Sequence, residues 1–286
     1  MSDPNGSGGQ PPDDAPGPQA AAPTPDAEEP PPRTFLTPPG ASASGAVGPE
    51  TVERFGHQVR HFPVAVSAEA MALAWANRED GPNGATVVVE HEVGPRGFHG
   101  AIWTTPPADS LVCAVVLRPR LAADEGDVTW LLTGLAALEG AESASGRTLA
   151  TWWPATVVDG DDEVVSVKVE VQLGPGQVKN VVSTMRFDLA KLGLRTEQRD
   201  ELLESVVGAV DRAAARLDEE GAPALAAAYE ARCSVVGKRV KIRLRPKGET
   251  RGTVRSIDRI ARLEIASASG MVERVGIDQL RELTVV

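Results

Sequence analysis

Cysteine is scarce: Cys113 and Cys233 are the only two in 286 residues. Two thiols cannot staple a disulfide scaffold and are too few for a zinc ribbon. The four histidines (His57, His61, His91 and His99) match no H-E-x-x-H or Cys/His ligand spacing, so no metal site is expected. No apolar run reaches the roughly 20 residues needed to span a bilayer. The first 30 residues contain neither a basic start nor an apolar stretch, so no secretory signal is visible. A soluble, cytoplasmic protein without a membrane partner is the expectation. There is no Gly-rich P-loop, and no G-x-G-x-x-G follows a strand. Positive charge is also short, with 29 Lys and Arg against 40 Asp and Glu and a net charge of -11.

Proline and charge divide the chain. The first 50 residues hold 13 of the 23 prolines, seven acids and one base, Arg33. Phe35 and Leu36 are their only adjacent large apolar residues. Such a segment buries too little surface to offset its ordering entropy, so 1–50 reads as a disordered tail. Its Pro30-Pro31-Pro32 run is a polyproline-ligand candidate; the alternative is a solubilising tail. Residues 51–236 hold 16 bases and 27 acids, and residues 237–286 hold 12 bases and 6 acids. That switch marks a boundary between a large domain, 51–236, and a small one, 237–286.

Periodicity supplies the elements. Ser67 is an N-cap for a helix over 68–76, broken by Asp80-Gly81-Pro82-Asn83-Gly84. Strands follow at 86–91 and 111–117. An apolar helix runs over 128–138 and ends near Gly140, and a short strand over 149–153 stops at Pro154. Val165, Val167, Val169 and Val171 alternate with Ser166, Lys168, Glu170 and Gln172, which predicts a half-buried antiparallel strand. Gly174-Pro175-Gly176 turns it into a hairpin partner over 178–189. A helix over 197–219 carries an apolar stripe, Gly221 ends it, and a second helix begins at Pro223. After Gly237 five short strands read as a small β-barrel. The fold class is α+β: a mixed or antiparallel sheet with helices, then the barrel.

Three stretches, in order, resemble the biotin protein ligase family within the biotin/lipoate ligase superfamily. The first is Val89 to Trp103. There Arg96, Gly97, Gly100 and Trp103 fall on the family's G-R-G-R-x-G-R-x-W loop after a strand. The second is Trp153-Pro154, matching K-W-P-N-D. The third combines Tyr229-Glu230-Ala231-Arg232-Cys233, Gly237-Lys238-Arg239-Val240, Gly252 and Ile257-Asp258, which are similar to the family's last helix and barrel. The resemblance covers about 65–285. It implies a class II synthetase-like catalytic fold. It also implies an ATP-dependent ligase forming an acyl-adenylate from biotin or lipoate, with Mg and ATP as cofactors if active. A biotin-carrier or lipoyl domain protein is then the acceptor, and a homodimer is a candidate assembly.

The same comparison exposes substitutions. The loop's second Arg is Phe98, and a later one is Ala101. The Lys before W-P is Trp152, and the Asn and Asp after it are Ala155 and Thr156. The catalytic Lys falls on Glu163 or Val164. The G-x-G-x-N strand is Thr184-Met185-Arg186-Phe187-Asp188, and the early S-T-N is Ser67-Ala68-Glu69. Joining a carboxylate to the α-phosphate of ATP brings two anions together, and each fixed donor is worth about 3–4 kcal/mol. Losing one Lys and two Arg would cost on the order of 10^6-fold if the losses were independent. Glu163 repels phosphate, with Asp159, Asp161 and Asp162 adding to that field. Met185, Arg186 and Phe187 intrude where glycines let the backbone approach a ligand. A degenerate member, with its scaffold kept and its adenylation site dismantled, is the reading this supports.

The candidate ligand-binding residues are Ser67, Arg96, Gly97, His99, Gly100, Trp103, Trp153 and Arg186. Arg96 either holds an anion or pairs with Glu90 or Glu92 at the surface. Arg186 is either a rescued phosphate contact or a solvent-facing strand residue, and the latter is favoured. Lys168 is the one substitute catalytic lysine, although its parity puts it on the polar face with Ser166 and Glu170. Trp152-Trp153 line an acyl pocket or the core. Cys113 and Cys233 read as buried and inert. Arg239, Lys241, Arg243, Arg245 and Lys247 lie on one strand face, with Arg251 and Arg255 nearby. Without interleaved aromatics that stripe reads as a charged edge strand rather than a nucleic-acid site. Three functions compete: a silent relative binding an acyl ligand or partner protein, an active divergent ligase, and a nucleic-acid or protein-binding module built on the barrel. The family's N-terminal DNA-binding helix-turn-helix has no counterpart in 1–50.

Overall fold

A computed structural model describes residues 49–286. The expectations for the N-terminal tail, including its polyproline run, lie outside the described residues. A large sheet of eight strands has the order β1-β2-β3-β4-β8-β7-β6-β5. Its strands are β1 (Thr51–Arg54), β2 (His57–Ala65), β3 (Thr86–Glu92), β4 (Ser110–Leu117), β5 (Ala150–Trp152), β6 (Thr156–Asp159), β7 (Asp162–Leu173) and β8 (Val178–Asp188). The sheet is mixed: β2 and β3 run parallel, and the other ladders are antiparallel. The parallel step is made by α1 (Ala68–Arg78), which crosses over between β2 and β3. Periodicity did not signal β1 and β2, because their residues are mostly polar and half-exposed.

Helices cover both faces. The helix α1 buries Ala72, Trp75 and Ala76 against Val87, Val112 and Val182 on one side. On the other side lie α2 (Val128–Ser145) and α4 (Arg199–Glu230), while α3 (Leu189–Leu192) is a single turn after β8. Central strand β8 is therefore buried along almost its whole length. The helix expected to end near Gly140 continues to Ser145 and stops at left-handed Gly146, φ 68. The glycine is there for contact. A Cβ on Gly140 would stand 2.8 Å from the Cα of Val206, so the absent side chain lets α2 lie against α4. The two helices expected over 197–233 form α4 end to end, with the break at Gly221 (φ 84, ψ 173) and Pro223 just after it.

A second, antiparallel sheet follows: β9 (Arg239–Leu244), β10 (Glu249–Ile257), β11 (Leu263–Ala266), β12 (Val272–Val275) and β13 (Leu280–Val285). Its order is β12-β11-β10-β9-β13, with no ladder between the two end strands. Gly252 sits where a Cβ would meet the carbonyl oxygen of Ala266 at 2.3 Å, so β10 and β11 require a glycine there. Val240, Ile242, Val254 and Ile265 join one apolar core with the α2–α4 layer. Polar ties reinforce it: Trp153 Nε1 donates to Ala261 O (3.0 Å), and the Ile257 amide donates to Glu230 Oε2 (2.8 Å).

Candidate functional site

The β3–β4 ladder ends at Val88↔Cys113, and beyond that pair the strands part. The opening is bounded by the end of β3, the N-terminus of α1, the loop over 93–106, β7 and β8. Two ion pairs occupy it. Arg186 on β8 has no solvent exposure, and Glu92 at the end of β3 retains 8%. Arg186 Nε donates to Glu92 Oε2 (2.9 Å) and Nη2 to Glu92 Oε1 (3.0 Å), a bidentate pair. Glu92 Oε1 also accepts the Ala68 amide (2.7 Å), so one carboxylate both neutralises Arg186 and caps α1. Nη1 of Arg186 is buried without a partner. One strand over, Lys168 Nζ contacts Glu69 Oε2 at 2.6 Å, partly buried.

This corrects the view of Arg186 as a solvent-facing residue. The central strand β8 has a helix layer on each side, so it has no solvent face for Arg186 to occupy. Met185 and Phe187 belong to the core on the α2–α4 face. Of the β8 residues expected to intrude on the ligand space, only Arg186 does so. Lys168 does share a face with Ser166, but α1 covers that face. Ser67 caps α1, its Oγ accepting the Ala70 amide (3.1 Å).

The loop is folded on itself. Arg96 and Ile102 form an isolated antiparallel bridge, and the Gly97 amide donates to Ala101 O (2.7 Å). Arg96 pairs with neither Glu90 nor Glu92: its Nη1 donates to Gly100 O (3.2 Å), Glu90 faces His61, and Glu92 holds Arg186. Gly97 approaches β7 closely; a Cβ there would lie 3.4 Å from Ser166 Oγ. Gly100 takes φ +78, a backbone shape that favours glycine. Phe98 packs edge-on against Trp130 of α2, with ring centroids 5.2 Å apart. His99 stacks on Phe98, and burial, with Arg245 adding, holds its imidazole below the ordinary range. Both effects disfavour the charged imidazolium in the loop.

A cavity of about 240 Å³ remains between this loop and β7, lined by Gly97, Trp103, Thr105, Glu163, Ser166 and Lys191. Trp103 Nε1 is buried without an acceptor. Lys191 Nζ donates to Glu163 O (2.9 Å), and desolvation raises the Glu163 carboxyl above its ordinary range, with Lys191 opposing. Trp153 is remote from this cavity and 1% exposed, a core residue tied to the second sheet. Cys113 and Cys233 are buried, and burial pushes the Cys113 thiol up to about 12. Much of the basic stripe is neutralised: Lys241 contacts Glu249 (3.2 Å), Arg243 contacts Glu282 (2.9 Å) and Arg251 contacts Glu249 (2.8 Å). No group of three or more potential metal-ligating His, Cys, Asp or Glu occurs among the described residues. None of the described helices is long and apolar enough to cross a membrane.

Comparison with solved structures finds the same architecture. A biotin protein ligase from Aquifex aeolicus, in complex with biotin and ATP, superposes with a TM-score of 0.64 at 16% identity, covering 80% of this chain and 99% of that one. The chain has the fold of the biotin protein ligases. A second structure, a biotin protein ligase-like protein of unknown function from Silicibacter sp., gives a TM-score of 0.56 at 14% identity, covering 76% and 94%. The bifunctional ligase/repressor BirA of Bacillus subtilis is 22% identical over 174 residues, 59% of this chain and 51% of that protein. Its Bacillus spizizenii counterpart is 24% identical over 130 residues, 46% and 40%. The chain spans about half the length of the curated relatives it matches. No family model matches it.

Within this fold, the positions that depart from the motif pattern have other work. Phe98 anchors the loop on α2, Trp152 packs at the core edge, and Glu163 borders the small cavity. The residues that reasoning from sequence missed are the counter-ions Glu92 and Glu69. A signal existed for both: Glu69 follows Ser67 closely at the start of α1, and Glu92 ends β3 just before the loop.

Proposed function

We propose that this protein is a biotin protein ligase-like scaffold that does not make an acyl-adenylate and that acts by binding a partner protein. The observation that carries the proposal is the bidentate Arg186–Glu92 pair buried in the cleft. Two side chains, Thr184 and Arg186, stand where the family resemblance has glycines. Both side chains are themselves fully buried, so the acyl group has lost its space. The chemistry is also missing. A nucleotide needs cations free to meet phosphate, but Arg186 and Lys168 are each engaged by a carboxylate, which leaves Arg96, bound to the Gly100 carbonyl, as the loop's one cation without a counter-ion among the described residues. The residues present do not fit ATP and Mg.

The partner reading rests on the rim of the cleft. Val64 and Val66 from the end of β2, Val93 after β3 and Ile102 on the loop are each at least 60% exposed. The backbone keeps the three valines together: the Val93 amide bonds to Ala65 O, that of Gly94 to Val66 O, and Val64 is paired with His91, while Ile102 is bridged to Arg96 within the loop. Clustered exposed aliphatics mark interaction surfaces. The inherited occupant is a carrier domain of the biotinyl or lipoyl kind. The experiment is calorimetric titration with such a domain, followed by a labelling assay with biotin, lipoate and MgATP. Saturable carrier binding, weakened by Val93→Asp and without labelling, is the expected result; labelling overturns the proposal. A second reading, a divergent active ligase, draws on the roughly 240 Å³ cavity with unpartnered Trp103 Nε1 and Lys191 beside it. The third, nucleic-acid binding by the second sheet, is weakened by the ion pairs along β9.

A further inference from the structure

The β1 edge of the large sheet is only half covered. β1 pairs with His57 to Arg60 of β2 and begins at Thr51. Among the described residues, no strand lies beside the rest of β2 on that side. In straight continuation of the register Pro49 would face Phe62, and a proline has no N–H to give. Alternation shows which main-chain groups are left open. Ala65 O accepts the Val93 amide, so Ala65 turns its groups towards β3, and Phe62 and Val64 turn theirs to the open edge. By the same alternation the missing N–H of Pro63 lies on the β3 side, so this proline does not block the edge, and no lysine guards it.

Both faces beside the edge have room for side chains. Phe62 packs on the α1 face, Val64 shares that face, and Val64 and Val66 are 60% and 61% exposed. On the opposite face a cavity of about 390 Å³ lies between the first four strands and the opening turn of α4. Its floor is aliphatic: Val59, Val88, Leu111 and Leu203 are core residues. On its wall His61 pairs with Glu90 (3.3 Å) and Arg54 with Asp200 (2.9 Å), which favours an uncharged occupant.

We propose that β2 takes an extended, aliphatic segment of a partner protein as an added strand, antiparallel and in line with β1. The inference rests on the partner reading above and names the form in which the partner is held. Main-chain hydrogen bonds to Phe62 and Val64 supply affinity, and alternate side chains supply specificity. Residues opposite Phe62 and Val64 lie on the α1 face, against the exposed valines. The residue between them, opposite Pro63, falls in the row of Glu90 and reaches the cavity.

The test titrates the full chain with the capped peptide K-T-V-L-V-T-K, its valines set opposite Val64 and Phe62 and its leucine opposite Pro63. One saturable site is expected. N-methylation of both valines removes the two N–H groups that face β2 and weakens binding about tenfold to a hundredfold, the worth of two hydrogen bonds. N-methylation of the leucine, whose N–H points away, leaves binding unchanged, and leucine-to-serine replacement weakens it because the cavity is left unfilled. Val64→Pro abolishes binding yet leaves the melting curve in place, since that N–H has no partner among the described residues. The peptide comparisons use the unaltered chain and stand even if Val64→Pro does not fold. Absence of saturable binding overturns the proposal, as does binding that N-methylation of the valines leaves intact. A dimer of the parent chain that Val64→Pro splits also overturns it, because a second copy would then cover the edge. The peptide has no carrier fold, so its failure and a failed carrier titration are separate results.

Discussion

Replacing Glu92 by glutamine removes one negative charge and leaves the shape of the cleft almost unchanged. Arg186 then keeps its charge, with no solvent exposure and no counter-ion. Breaking a buried pair in this way costs about 3–5 kcal/mol, because the survivor is left uncompensated. The amide must also present an N–H₂ group either to the guanidinium or to the Ala68 amide, both of which are donors. For a folded part of this size each kcal/mol moves the melting temperature by about 2–4 °C, so E92Q melts roughly 6–20 °C lower. The double variant Glu92→Met, Arg186→Met removes the charges together and recovers most of that loss, since apolar replacement of a buried pair is often neutral or stabilising. The assay is thermal and urea unfolding of the parent, E92Q, the single variants Glu92→Met and Arg186→Met, and their double, the last three read with the parent as a cycle. The reasoning is refuted if E92Q lies within about 1 kcal/mol of the parent, the behaviour of a solvent-screened surface pair. The cleft would then be hydrated and Arg186 free to meet a ligand.

Gly140→Ala forces a Cβ onto Val206 and separates α2 from α4, which lowers stability by about 1–3 kcal/mol in urea unfolding. Asp127, at the start of α2, has its carboxyl raised above the ordinary range by burial first and Asp278 second. The folded state thus holds a proton that the unfolded chain has already released. Stability falls as pH rises from the ordinary Asp range through the raised value and stays lower above it. Asp127→Asn removes that fall, which melting curves across acidic to neutral pH will show. With its thiol raised to about 12 by complete burial, Cys113 resists a thiol reagent at neutral pH until the protein unfolds.

The sequence reveals the frame more readily than the site. Alternating valines disclosed β7, and Gly221-Ala222-Pro223 disclosed the break in α4, because both signals are local. Gly140 misled: in isolation a glycine stops a helix, and its true role is to meet Val206, 66 residues away in sequence. Arg186 misled for a similar reason. Strand parity tells which side a residue faces but not whether that side is wet, and only sheet order shows β8 to be central. The pairing of Arg186 with Glu92 spans 94 residues and joins two strands that are not neighbours. The departures at Phe98, Trp152 and Glu163 were legible, because they could be set against a motif pattern.

The central claim is that a ligase-shaped cleft is closed by its own side chains. Its most direct measurement is release of AMP and pyrophosphate when the purified chain is incubated with MgATP, a carrier domain, and biotin or lipoate in turn. Background-level release with both acids, from protein whose melting curve shows it folded, is the predicted result. Acid-dependent AMP release that Arg186→Met abolishes would contradict the account and make Arg186 part of a rebuilt catalytic site.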